Sequence, residues 1–82
     1  MTWTVTWDPP AVAAASRFLA EDPAGLAQLM DAVELLADDP RPAGSFPYGS
    51  ADLRRIRVGR YRVLIEISPQ EHTVTVINLG RS

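Results

Sequence analysis

"LRRIRVGRYRVLIEI", residues 53–67, decides how the rest of the chain is read. Apolar residues alternate on both sides of Gly59-Arg60: Ile56 and Val58 before it, then Tyr61, Val63, Ile65 and Ile67 after it. A period of two with β-branched residues reads as strand. Glycine in the first place of a two-residue loop suits a type II′ hairpin turn. The stretch is therefore a hairpin with strands over 52–58 and 61–67. The turn also sets the register. Val58 lies opposite Tyr61, Arg57 opposite Arg62, Ile56 opposite Val63 and Arg55 opposite Leu64. Side chains alternate between faces. One face carries Ile56, Val58, Tyr61, Val63 and Ile65, and is the core side. The other carries Arg55, Arg57, Arg62, Leu64 and Glu66.

Five arginines, Arg54, Arg55, Arg57, Arg60 and Arg62, thus crowd one short hairpin of a chain whose net charge is −2. The charge is unevenly spread. Residues 1–50 hold two arginines against seven acidic residues, net −5, and residues 51–82 hold six against three, net +3. Such asymmetry points to nucleic acid or to another acidic partner. The chain has no lysine. Arginine's planar fork suits phosphate, and codon bias accounts for a lysine-free composition equally well.

Upstream, Thr2–Trp7 alternates, with Trp3, Val5 and Trp7 on one side, and reads as a half-buried strand. Asp8-Pro9-Pro10 stops it. Asp8 is a helix cap, and proline is welcome in a first turn where its missing N–H is not needed. Residues 10–21 form an alanine-rich helix suited to close packing. Asp22-Pro23 repeats the cap-and-proline signal, so a second helix starts there. Its stripe is Leu26, Leu29, Met30, Val33, Leu36 and Ala37, with Met30 as core filler. Asp38-Asp39-Pro40 ends it. Residues 39–51 are rich in Pro, Gly and Ser and form a loop, pinned to the core by Phe46 and Tyr48. A base-stacking role is the other reading of Tyr48. Pro69 breaks the second hairpin strand, and 72–79 makes a last one. The order is β-α-α-β-β-β: a helical hairpin packed on a mostly antiparallel four-stranded sheet, an α+β class, forming one domain over residues 1–82.

At 82 residues the chain buries only about 60% of its unfolded surface, so stability is expected to lean on a partner. It has no cysteine and one histidine, His72, which leaves no disulfide framework and no His or Cys metal cluster. Neither metal nor cofactor is expected. No apolar run is long enough to span a membrane. The N-terminus lacks the basic and apolar regions of a signal peptide, so a cytoplasmic protein is expected.

Like charges directly opposite across a strand pair are destabilising. Arg57 facing Arg62, with Arg55 two residues along, breaks a local rule, and such breaks gather at functional sites. Three guanidinium groups on one sheet face can bind a phosphodiester through bidentate hydrogen bonds. An acidic protein partner and a merely solvated, aggregation-blocking face are the other two readings.

Arg55-Ile56-Arg57, Gly59, Tyr61-Arg62 and Gly80-Arg81, behind a helical hairpin and a first strand, resemble the RelE/ParE superfamily of bacterial type II toxins. The resemblance covers essentially the whole chain. For RelE-like members it implies a ribosome-dependent endoribonuclease that enters the A site and cleaves mRNA. The 2′-hydroxyl attacks the adjacent phosphate and leaves a cyclic phosphate. The matching residues Arg55, Arg57 and Arg62 would hold the scissile phosphate, with Arg81 assisting, and Arg54 and Arg60 would widen the RNA-binding surface. RelE proper carries a C-terminal tyrosine for proton transfer, and no tyrosine follows Tyr61 here. Arginine stays protonated and is a poor general base. His72, Tyr61 and Glu66 are the candidate bases, although Tyr61 reads as core. ParE-like members instead poison DNA gyrase and need no nuclease site, and a non-catalytic module docking an acidic peptide is the third reading. The resemblance also implies a heteromeric complex with a cognate antitoxin, whose disordered segment wraps the toxin.

Overall fold

The computed structural model describes residues 2–81. The hairpin forms as the alternation requires. Strand β3 (Ser50–Val58) and strand β4 (Tyr61–Ser68) pair antiparallel, with Val58 opposite Tyr61, Arg57 opposite Arg62 and Arg55 opposite Leu64. Gly59 has φ +59°, while Arg60 stays outside the positive-φ region, as a II′ turn demands. Strand β5 (Thr73–Arg81) pairs antiparallel with β4. Strand β1 (Thr4–Trp7) lies parallel to β5 on its far side.

The sheet has five strands, not four. The extra one is β2 (Phe46–Tyr48), within the segment expected to be loop, and it pairs antiparallel with β3. Its proline hid it: Pro47 belongs on an edge, and β2 is the edge, in the order β1-β5-β4-β3-β2.

Helix α1 (Pro9–Glu21) and helix α2 (Pro23–Glu34), the latter extended by a 3₁₀ turn over Leu35–Ala37, cover one face of this sheet. Small Ala11 and Ala14 let α1 lie close to β5, and both are buried. Asp22 ends α1 and caps α2, its carboxylate accepting from the Gly25 amide at 3.1 Å. Asp8 stands at the start of α1 without a side-chain cap bond. Leu26, Leu29, Val33 and Leu36 are buried against Val63, Ile65, Ile67, Val74, Val76 and Leu79 of the sheet. Met30 is not core: it is 41% exposed, because the stripe's contact side runs through Leu29 and Val33. Phe46 and Tyr48 do not pin the loop either, each being 47% exposed. No described helix is long and apolar enough to cross a membrane.

One irregularity shapes the open face of the sheet. A bulge in β5 separates Val76, which pairs Ile65, from Asn78, which pairs Leu64. The buried series therefore runs Val74, Val76, Leu79. The extra residue turns Asn78 and Gly80 onto the face away from the helices.

Leu29 is fully buried, and Leu29→Ala is expected to lower the unfolding free energy by about 3 kcal/mol through lost transfer energy and a residual cavity. A urea titration reads this directly. Met30→Ala, at a half-exposed site, is expected to cost less than about 1 kcal/mol.

Candidate functional site: an arginine face and a tyrosine–aspartate joint

Arg55, Arg57 and Arg62 stand together on the face the helices leave open. Arg57 and Arg62 are a directly opposed pair, and Arg55 faces Leu64 one step along. Arg57 and Arg62 are exposed and Arg55 is half-buried. On the neighbouring strand Gly80 lies opposite Arg62, and Asn78 opposite Leu64. Arg55, Arg62, Leu64, Asn78 and Gly80 line a shallow depression of about 150 Å³. A side chain at position 80 would stand in open space beside Arg62, so glycine keeps the depression open. The Asn78 carboxamide oxygen accepts from the Leu79 amide at 2.8 Å, which holds that side chain against its own backbone. Two guanidinium groups at the hollow, with that of Arg57 on the neighbouring position of the same face, can bind one tetrahedral anion. Asn78 escaped the sequence reading, and Gly80 entered it only as part of the Gly80-Arg81 motif, with no place in the site. The signal for Asn78 was the broken alternation Val74, Val76, Leu79.

The other arginines lie elsewhere. Arg54 is on the helix face, where its Nε donates to Ser45 Oγ and its Nη2 to the Ser45 carbonyl, both at 3.1 Å. It ties down the segment before β2. Arg60 sits in the hairpin turn, close enough to Asp22 to favour that carboxylate's charge. Arg81 pairs with Tyr61 across β4 and β5, and so faces the helices, opposite to the trio. Its Nη2 donates to Glu21 Oε1 at 2.7 Å, and its guanidinium lies 4.8 Å from the Phe18 ring centroid. Glu21, first, and Tyr61 after it raise the Arg81 pKa further, against burial.

Two of the three candidate bases lie away from the trio, and the third, Glu66, stands at its margin. His72 has φ +58° and stacks on Trp3 at 4.1 Å. It precedes β5, roughly 25 Å along the strand from Gly80. Glu66 shares the arginine face, four residues and roughly 13 Å from Arg62, but diagonal to Arg55 at roughly 7–8 Å. Tyr61 is 2% exposed and is core, as its register requires.

Tyr61 has a second role that the sequence did not disclose. Its hydroxyl donates to Asp22 Oδ2 at 2.8 Å. The joint between the helices is thereby tied to the first residue of β4. The tyrosine bond, and then the Gly25 amide, hold the Asp22 carboxyl below its usual range, against a smaller opposing push from burial. Burial, and then Asp22, push the Tyr61 phenol up. A depressed folded-state pKa stabilises the fold above about pH 4 and ceases to do so as the pH falls through the lowered value. Asp22→Asn is therefore expected to be less stable than the parent at pH 7 and to lose less stability on acidification from pH 5 to pH 2. Urea midpoints across that range test this. An equal loss in both proteins would remove Asp22 from the acid response.

The arginine face has its own test. Millimolar pyrophosphate is expected to raise the melting temperature by a few degrees through binding to the native state alone. Arg62→Ala is expected to show no such rise.

The sequence matches the family described as ParE toxin of type II toxin-antitoxin system, parDE, over residues 5–82. No curated protein matches. Among solved structures, the toxin–antitoxin complex RelBE2 from Mycobacterium tuberculosis contains a similar chain, with TM-score 0.83, 20% identity and 100% of both chains covered. The intact Escherichia coli RelBE complex gives TM-score 0.80 at 18% identity, covering 98% of this chain and 96% of that one. The YoeB/ParE toxin from Agrobacterium tumefaciens gives 0.81 at 14% identity, covering 96% and 98%. At these identities the structural likeness establishes the fold, two helices on a mostly antiparallel sheet, and the sequence match establishes the lineage. This chain belongs to the ParE toxin family of type II toxin–antitoxin systems, within the RelE/ParE superfamily.

Proposed function

We propose that this toxin acts in the RelE manner, inhibiting translation by cutting mRNA in the ribosomal A site with Arg55, Arg57 and Arg62 around the scissile phosphate. The observation that carries the reading is the placement of these three residues on the face free of helices, where Arg55 and Arg62 line an open hollow and Arg57 stands opposite Arg62. In the reaction the 2′-oxygen attacks the adjacent phosphorus. The bond to the 5′-oxygen breaks, and a cyclic phosphate remains. Negative charge builds on the phosphoryl oxygens as phosphorus becomes five-coordinate. Guanidinium groups already in place stabilise that charge without reorganising. The arginines stay protonated throughout, so the proton of the 2′-hydroxyl leaves to water or to another group, and the departing 5′-oxygen takes its proton from water. Arg81 then contributes indirectly, by anchoring the end of β5 to Glu21 so that Gly80 stays beside Arg62.

A second reading is gyrase poisoning. The matched family, ParE, favours it, and neither His72, stacked on Trp3, nor Tyr61, in the core, is placed to serve the trio as a base. A gyrase poison needs no base.

A cognate antitoxin is also proposed as partner, since the similar toxins of Mycobacterium tuberculosis and Escherichia coli were solved as complexes with antitoxins. The acidic helical half and the basic strand half offer such a segment two contrasting surfaces.

Primer extension on mRNA in a reconstituted translation reaction tests these readings together. Discrete A-site cuts are expected with the parent chain. Arg62→Ala is expected to reduce them at least a hundredfold, roughly the scale of losing one charge-stabilising donor. Addition of the antitoxin is expected to abolish them. Absence of cuts together with blocked supercoiling by DNA gyrase would transfer the assignment to the second reading.

A further inference from the structure

We infer that Phe46 and Tyr48 form a nucleobase-stacking platform beside the arginine hollow, so that this face takes single-stranded RNA by its bases as well as its phosphates. The inference rests on the RNA-directed reading of the arginine face and adds to it a subsite on the edge strand.

Both rings are on the arginine side. Phe46 pairs directly with Arg55, and paired residues share a face. Tyr48 follows a register shift, and its side is shown by its neighbour: the Arg55 guanidinium carbon lies 4.7 Å from the Tyr48 ring centroid. Each residue is 47% exposed. Two half-wet aromatic residues on one three-residue strand call for a reason. Holding the 39–51 segment is not that reason, because Arg54 holds it through Ser45 from the opposite face, and Arg41 pairs with Asp52 at 3.0 Å.

The spacing fits a nucleotide. Arg62, Arg55 and Phe46 lie on three adjacent strands, β4, β3 and β2. Arg62 stands two residues along from Leu64, the residue opposite Arg55, so Phe46 lies two strand spacings across and two residues along from it, about 12 Å, the scale of a nucleotide from its phosphate to the far edge of its base. A phosphate in the hollow beside Arg62 therefore leaves its base, or the next one, over Phe46 and Tyr48. Arg55 serves both parts: it lines the hollow and presents its own guanidinium plane against Tyr48. Aromatic rings and arginine planes are the surfaces on which proteins stack unpaired bases, without regard to sequence, because every base has a π-face.

Pro47 narrows the alternatives. It lies between the two rings on the edge strand and has no N–H to offer. A peptide adding itself as a sixth strand would lose a ladder bond there, so the ligand approaches over the face rather than along the edge. An acidic peptide could use the arginines but gains nothing specific from the rings.

The 82-residue chain at low salt, titrated by fluorescence anisotropy, provides the test. The probes are a short labelled oligoadenylate, an abasic ribose–phosphate oligomer of the same length, and polyglutamate. The parent chain is expected to bind oligoadenylate tighter than the abasic oligomer. Tyr48→Leu is expected to weaken oligoadenylate about tenfold and leave the abasic oligomer unchanged, whereas Tyr48→Phe keeps parental affinity and Arg62→Ala weakens both oligomers. Phe46→Leu supplies a second site with the same expectation. Urea midpoints show that the variants remain folded. Equal affinity of the parent chain for the two oligomers, oligoadenylate binding untouched in both leucine variants, or polyglutamate bound more tightly than either oligomer would overturn the platform. The primer-extension assay decides the RelE reading separately. Cuts with no stacking preference would sink the platform alone, and a stacking preference without cuts would sink the nuclease alone.

Discussion

The register of the β3–β4 hairpin is the constraint on which the remaining structure depends. Because side chains alternate strictly, a slip of one residue would carry Arg57 and Arg55 to the helix face and Ile56 and Val58 into water. Three features hold it. Gly59 takes the positive φ that the two-residue turn requires. Val63 and Ile65 are buried under the helices and have no alternative burial. The Tyr61 hydroxyl reaches Asp22 at the joint of the helical hairpin. That last bond links the two layers, since Asp22 also caps α2 through Gly25. The residue that starts the second helix thus also fixes the first residue of the returning strand.

With the register fixed, the arginines divide by parity. Residues 54 and 81 fall on the helix face and find partners there: Ser45 for Arg54, and Glu21 with the Phe18 ring for Arg81. Residues 55, 57 and 62 fall on the open face, where the opposed pair Arg57 and Arg62 costs stability. A surface pair repelling in water costs little, so the fold tolerates it. The same repulsion favours any anion that settles between the two. The clustering of positive charge in a slightly acidic chain is thus a division of labour. One set of arginines builds the domain, and the other lies on the open face, where Arg55 and Arg62 line a hollow.

Much of this is legible in the sequence alone. The hairpin, its turn and its pairings come from Gly59 and the spacing of Ile56, Val58, Tyr61, Val63 and Ile65. Prolines at 9 and 23 mark the helix starts. What escapes depends on neighbours distant in sequence. Strand β2 carries Pro47 and has only three residues, so local propensity argues against it, and β3 overrides that by offering an edge. The side on which Arg81 falls depends on the bulge in β5, which a short β-branched strand does not announce. Met30 shows the limit of a helical stripe: α2 contacts the sheet along Leu26, Leu29 and Val33, and a residue one position off that line stays half in water. Hydrophobicity alone assigns Phe46 and Tyr48 to the core, although an edge strand offers them no core to enter.

The bulge is where fold and site meet. Were β5 regular, with Ile77 holding its own place in the ladder, Asn78 would continue the buried series of Val74 and Val76, and a carboxamide would need a partner in the core. Leu79 would be turned outward in its place. The bulge reverses both, placing Leu79 under the helices while Asn78 and Gly80 line the hollow beside Arg62. It also sends Arg81 inward to Glu21, so the positive charge nearest the strand end braces the domain instead of joining the trio. Pairing Ile77 in regular register instead of bulging it would shift every later residue by one, take the glycine floor from beside Arg62 and break the ion pair that holds the strand end. The geometry of the arginine face is therefore set as much by β5, which supplies none of its arginines, as by the hairpin that supplies all three.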